Sequence, residues 1–164
     1  MAATALTPAI LYTSRGTTKV YWVPTIANPS SPTAVELNAG TDISAHIVDA
    51  DGWSFQPDLI SVPSMATRVD AKIAGVINLD DSSLTMHASK NGVDSSVLLP
   101  QDAVGNIVIF PGGLVPGYKM DVWPCTIAAN ALQMSVQGSD ANTRLVTFSP
   151  STVPVFNVTV PAGL

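Results

Sequence analysis

His46 and His87 are the side chains best suited to metal binding or to proton transfer near neutral pH. They lie 41 positions apart, and neither has a cysteine or carboxylate at metal-ligand spacing. Both are expected to be surface or interface residues. Asp49-Ala50-Asp51-Gly52 matches the opening of a calcium loop, but the third acidic ligand and the closing glutamate are missing. Asp80-Asp81 is a pair of neighbouring carboxylates. Adjacent residues in extended chain point apart, so the pair reads as solvated turn acids rather than an acid–base couple. No nucleophile elbow, phosphate-cradling glycine loop or dinucleotide fingerprint is present. The single cysteine, Cys125, excludes an internal disulfide, and its place in a strand pattern predicts a small buried apolar role. Asn157-Val158-Thr159 has the form of a glycosylation sequon but reads as strand sequence. Trp22, Trp53 and Trp123 could build a sugar-binding platform; core or subunit-contact aromatics are the alternative. The chain therefore offers no catalytic site, no metal site and no cofactor site.

Composition narrows the partners. Hydrophobic residues make up 46% and charged residues only 12%, about half the usual share of charge. Either other subunits cover much of the surface, or this is a stable β-protein with a Ser/Thr-rich exterior. Seven basic against twelve acidic residues give a net charge of -5, with no basic run. Tight nucleic-acid binding needs clustered cations and is excluded, though a surface past which DNA slides without sticking is not. The N-terminus lacks a charged n-region and a long apolar core, and no apolar run reaches membrane-spanning length. A soluble product of a cytoplasm, with no membrane partner, is expected.

The elements that must carry any function are strands. The stretch 118–160 reads as three successive strands. In the last, Phe156, Val158 and Val160 alternate with Asn157 and Thr159; in the middle one, Arg144, Val146 and Phe148 share a face. The first contains Pro124, expected at an edge or a bulge, and its apolar parity changes beyond Ala131, as a bulge would cause. Residues 137–142 form the polar turn between the first two. Thr18 to Val23 is a strand, and a short helix capped by Ser31 with Pro32 at its first position follows. Residues 42–51 are ambiguous, residues 53–62 read as a strand, and Pro63 to Asp81 as a long charged loop. Ser82 to Lys90 alternates cleanly, with Leu84, Met86 and Ala88 on one face. Asp94 caps a short helical segment, and Asn106 to Phe110, apolar on both faces, is a central strand. Seven or eight strands, one or two short helices and 13 prolines predict one antiparallel β-sandwich or barrel domain over 18–160. An N-terminal arm, 1–17, and a short tail, 161–164, flank it.

With these residues in view, the chain resembles major tail tube proteins of bacteriophages with long, non-contractile tails, of the type common in phages of actinobacteria. The resemblance is carried by GTTKVYWVP from Gly16, VELNAGTDI from Val35, the opening Gly52-Trp53 and TRVDAKIAG from Thr67. DDSSLTMHAS from Asp80, VLLP from Val97, GGLVPGYKMDVWPCTIA from Gly112 and FNVTVPA from Phe156 complete it. It spans about residues 16 to 162. It implies a mainly β antiparallel sandwich with a short flanking helix, whose inner sheet is completed into a continuous barrel by ring oligomerisation. Six copies would form a ring, and stacked rings a virion tail tube assembled in the host bacterial cytoplasm. Its implied partners are other copies of the chain, the tape-measure protein, the tail terminator and the tail tip proteins. DNA would pass through the lumen without specific binding.

The resemblance also implies roles for particular residues. A long loop in relatives contacts the next ring, which makes Arg68, Asp70, Lys72, Asp80 and Asp81 the candidate inter-ring contacts. Asp58, Thr85 and His87 are the candidate lumen-facing residues, with His87 departing from a uniformly acidic wall. Arms 1–17 and 161–164 are further candidate contacts. A carbohydrate-binding β-sandwich module on a virion or cell surface is the alternative function.

Overall fold

The computed structural model describes residues 8–66, 68–79, 81–134, 136 and 141–164. In chain order the elements are β1 (Lys19–Val23), α1 (Ala34–Asn38), β2 (Thr41–Asp42), a 3-10 turn (Ser44–His46), β3 (Ile47–Asp51), β4 (Phe55–Val62) and β5 (Ala71–Leu79). Then come β6 (Ser82–His87), α2 (Ser95–Leu98), β7 (Val104–Phe110), β8 (Lys119–Gln133), β9 (Thr143–Pro150) and β10 (Val155–Thr159). The fold is mainly β. One antiparallel sheet runs β2-β1-β7-β8-β9-β6-β3, with β10 also pairing β8. β4 and β5 form a separate two-stranded sheet.

The main sheet carries a hydrophobic cluster on each face, which is why β7 is apolar on both. Ile107 joins Trp22, Trp123, Cys125, Ile127, Val146, Phe148, Leu84 and Met86 in the larger cluster. Val108 and Phe110 join Val23, Met120, Val122, Val158 and Leu37 in the other. β7 lies between β1 and β8, as its pattern predicts. Gly105 lets Trp22 lie flat on this strand, because a Cβ there would sit 2.6 Å from the indole ring.

Local signals explain most element boundaries. α1 is capped by Thr33, two residues later than the Ser31 and Pro32 start that the sequence predicts. Glu36 decides this. Its amide donates to the Thr33 hydroxyl, while its carboxylate accepts the amides of Thr33 and Ala27, both at 2.8 Å. The C-terminal tail packs against this helix, where Asn38 donates its side-chain amide to the Gly163 carbonyl. α2 has the expected Asp94 cap.

The bulge that the sequence predicts in β8 beyond Ala131 lies earlier, at Ala128, between the pairs Ile127–Phe148 and Ala129–Thr147. Pro124 is neither there nor on an edge strand. It pairs with Asn106 of β7 on one side. On the other it falls between Val122, the last residue facing β10, and Cys125, the first facing β9. The missing N–H therefore coincides with the gap between two partner strands. A second bulge, in β10, places Asn157 at φ 57°, and its N–H donates to the Asp121 carboxylate at 3.0 Å. This turns Phe156 onto Trp123 edge-on, 5.4 Å between centroids, while Val155 and Val158 face the opposite cluster.

Candidate assembly surfaces

The segment read from sequence as a charged loop is the second arm of a hairpin. β5 pairs antiparallel with β4 from Phe55–Leu79 to Val62–Ala71, with an extra residue in β5 opposite Asp58. Ile60 stands opposite Ile73, and Pro57 opposite Ile77. Counting alternate residues through the bulge puts Ile60, Val62 and Ile73 on one face, and Leu59, Ala74 and Ile77 on the other. Both faces are apolar and both are exposed: Leu59 63%, Val76 71%, and Met65 at the tip fully. Among the described residues, neither strand pairs with the main sheet. A two-stranded ribbon is marginal alone in water, and open strand edges with apolar faces invite pairing with another chain. Leu59, Ile60, Val62, Met65, Ile73, Val76 and Ile77 are all exposed on this one ribbon, and apolar residues clustered in this way mark an interaction surface.

Gly52 fixes the root of this hairpin. Its φ is +75°, and a Cβ would meet the Asp81 carbonyl oxygen at 2.5 Å, so only glycine lets the two stems converge. Ser82 closes the junction by donating its hydroxyl to the Gly52 carbonyl. Of the candidate contact residues, Arg68 and Asp70 lie exposed at the tip, and Lys72 lies exposed on β5 opposite Ser61. Asp81 is exposed at the root, separated from the tip by the length of β5, about 30 Å. Asp80 lies outside the described residues. The structure thus separates the set instead of gathering it.

The candidate lumen residues divide in the same way. Asp58 is exposed on β4 of the hairpin, whereas Thr85 and His87 lie on β6 of the main sheet. Thr85 pairs with Leu145 on one side and Asp49 on the other, and Ser83 with Thr147 and Asp51. Alternation puts these, with His87 and Thr143, on the face opposite buried Leu84 and Met86. Apart from Leu145 that face carries polar residues, and Asp49 and Asp51 make it weakly acidic.

A buried ion pair that sequence reading missed fixes the opposite end of β6. Asp94, only 3% exposed, accepts from Arg144 Nε at 3.1 Å, from the Ser96 amide at 2.9 Å and hydroxyl at 2.7 Å, and from the Ser89 amide at 3.1 Å. The Ser96 hydroxyl first, then the two amides and Arg144, outweigh burial and hold the Asp94 carboxyl well below the usual carboxylate range. Asn130 completes the clamp by donating to the carbonyls of Ser95 and Leu99, both at 3.0 Å. The signal was Arg144 itself, a charge on the same strand face as Val146 and Phe148.

The tryptophans make no platform. Trp22 and Trp123 are buried, and Trp53 stands edge-on to Trp123 with its indole N–H donated to the Ser83 carbonyl. A cleft of about 790 Å³ opens between β1 and β3, lined by Arg15, Lys19, Val48, Asp49 and His87 among others. Among the described residues no three potential metal ligands gather, and no helix is long and apolar enough to cross a membrane.

Comparison with known proteins gives these surfaces a context. No curated protein sequence matches the chain. By fold it is similar to a chain of the anti-feeding prophage tube-terminating cap, with TM-score 0.62 and 12% identity over 97% of this chain and 100% of that one. It is similar to a chain of the six-fold symmetrised anti-feeding prophage baseplate, with TM-score 0.58 and 12% identity over 98% and 100%. A chain in the virion of a native gene transfer agent particle aligns with TM-score 0.50 and 14% identity over 71% and 88%. The sequence profile described as phage tail tube protein matches residues 5–163. The chain belongs to the phage tail tube protein family: it is a structural, non-enzymatic component of a virion tail that self-associates into the tube.

Proposed function

We propose that six copies form a ring, that rings stack into a hollow tube, and that this tube conducts the genome into the host. The β4–β5 hairpin carries this reading: an apolar ribbon with two open edges is completed by neighbouring copies. The six-fold symmetry of the similar prophage baseplate supports the ring number. Residues 18–160 act as the tube domain, with 1–17 and 161–164 as its extensions. Arg68 and Asp70 at the hairpin tip, Lys72 on β5 and Asp81 near its root, together with Asp80, are polar contacts between rings. The polar face that carries Thr85 and His87 lines the bore, with Asp58 contributing from the hairpin. Asp49 and Asp51 on that face give it a sign that repels phosphate, so DNA passes without adhering. The tape-measure protein fills the bore before ejection, and tail terminator and tip proteins cap the two ends.

Negative-stain microscopy of the purified protein tests the reading. Rings or tubes with a central hole are expected. A strictly monomeric species that binds glycans on an array would instead establish the carbohydrate-binding module.

A further inference from the structure

We infer that the Asn91-Gly92 turn modifies itself: the Gly92 nitrogen attacks the Asn91 side-chain carbonyl carbon, ammonia leaves, and water opens the succinimide to isoaspartate or aspartate. Asn91 is followed by glycine, as no other asparagine in the chain is. Both residues are exposed, and a Cβ built on Gly92 would meet nothing within 4 Å, so water and base reach the reacting amide freely. The Asn91 side-chain oxygen sets this turn apart from a bare Asn-Gly pair. It accepts the Val93 amide at 3.2 Å and the Ser89 hydroxyl. Only an oxygen accepts from a backbone N–H, so the Val93 donor fixes which way the side-chain amide points. Two donors on that oxygen draw electron density from Cγ. They also meet the negative charge that develops there as the nitrogen attacks.

Water is the only co-reactant. The bond from Gly92 N to Asn91 Cγ forms, the Gly92 amide proton passes to solvent base, and the Cγ–Nδ2 bond breaks. Nδ2 takes up one proton and leaves as ammonia. Water then adds at Cγ, which restores the main chain with aspartate, or at the Asn91 main-chain carbonyl carbon, which routes the chain through the side chain as isoaspartate. One chain suffices, so the reaction stands apart from the tube reading. A single contact opposes it: the Gly92 amide donates to the Ser89 carbonyl at 3.1 Å and closes the turn. One hydrogen bond on an exposed turn opens locally without the rest of the fold. The product bears on α2, because Asp94 lies three residues further on. Ser89 donates its own amide to Asp94 at 3.1 Å, and Asp94 caps α2 and pairs with Arg144. Isoaspartate inserts a backbone atom into that short loop, and either product adds a carboxylate near Asp94. Conversion therefore loosens the clamp that holds α2.

The test ages the full chain at mildly alkaline pH and follows its peptides by mass spectrometry and isoaspartyl methyltransferase labelling, beside Ser89→Ala, Asn91→Gln and Asn91→Asp. Asn91 should be the first asparagine to convert, with isoaspartate exceeding aspartate. Asn91→Gln should stay unconverted, because its longer side chain misplaces the carbonyl for ring closure. Ser89→Ala, its fold checked by circular dichroism, should convert at least about threefold more slowly, since one of the two donors to the developing oxyanion is gone. The isoaspartyl form, separated by chromatography, should melt below both the wild-type protein and Asn91→Asp. Another asparagine converting first, or folded Ser89→Ala converting as fast as wild type, would overturn the site. An isoaspartyl form that melts with the wild-type protein would overturn its link to Asp94.

Discussion

Replacing Ile60 and Ile73 together by threonine separates assembly from folding. The two residues are register partners on β4 and β5, and each is about half exposed, 50% and 54%. Threonine keeps strand propensity, so the hairpin itself is preserved. Fully burying an isoleucine contributes about 2 kcal/mol, so covering the exposed half of each contributes about 1 kcal/mol, or about 2 kcal/mol for the pair. At 1.4 kcal/mol per tenfold, the critical concentration for tube formation should rise about 30-fold. The free subunit should change by no more than about 0.5 kcal/mol per site, because both side chains already face solvent. Sedimentation of tubes against protein concentration gives the first quantity, and urea unfolding of the subunit followed by tryptophan fluorescence gives the second. A variant that loses more than about 2 kcal/mol of subunit stability while assembling normally would show that the hairpin packs on its own chain, and would refute the reasoning.

Four further outcomes follow from the packing. Asp94→Ala should cost the subunit about 3 kcal/mol, because it strands the Arg144 guanidinium and uncaps α2; urea unfolding that shows a loss below about 1 kcal/mol contradicts this. Asp94 titrates lower in the folded chain than in the unfolded one, so its contribution is complete above about pH 4 and declines as pH falls further. Asp94→Asn should accordingly flatten the loss of stability between neutral pH and about pH 3. Gly105→Ala should destabilise by about 1–3 kcal/mol, since the new methyl meets the Trp22 ring at 2.6 Å and the Val23 carbonyl at 3.1 Å; an unshifted melting curve would mean the indole moves freely. The Cys125 thiol, pushed up to about 12 by burial, should resist a thiol reagent in the native subunit at pH 8 and react only on unfolding. Rapid native labelling would contradict the burial.

How much was legible in the sequence depended on whether neighbours in the chain were also neighbours in space. β7, β9 and β10 announced themselves by alternation or by continuous apolar runs. β8 betrayed its bulge through a parity change. Asp94 and the helix near 34 were visible because caps act over three residues, although Glu36 moved the second cap from Ser31 to Thr33. β5 was missed because the cues there conflict. Lys72 and Gly75 interrupt the pattern, and apolar residues on both faces of an exposed ribbon leave no alternation to detect. The pairing of Asp94 with Arg144 bridges 50 positions, so only the anomaly of an arginine among core residues pointed to it.

Amide hydrogen exchange along β4 and β5, measured in the free subunit and in the assembled tube, tests most directly whether other copies complete the hairpin. In the free subunit these amides should exchange early, well before those of β7 and β8. In the tube their protection should rise toward that of the central strands. Equal, fast exchange in both states would mean that the hairpin takes no part in holding the tube together.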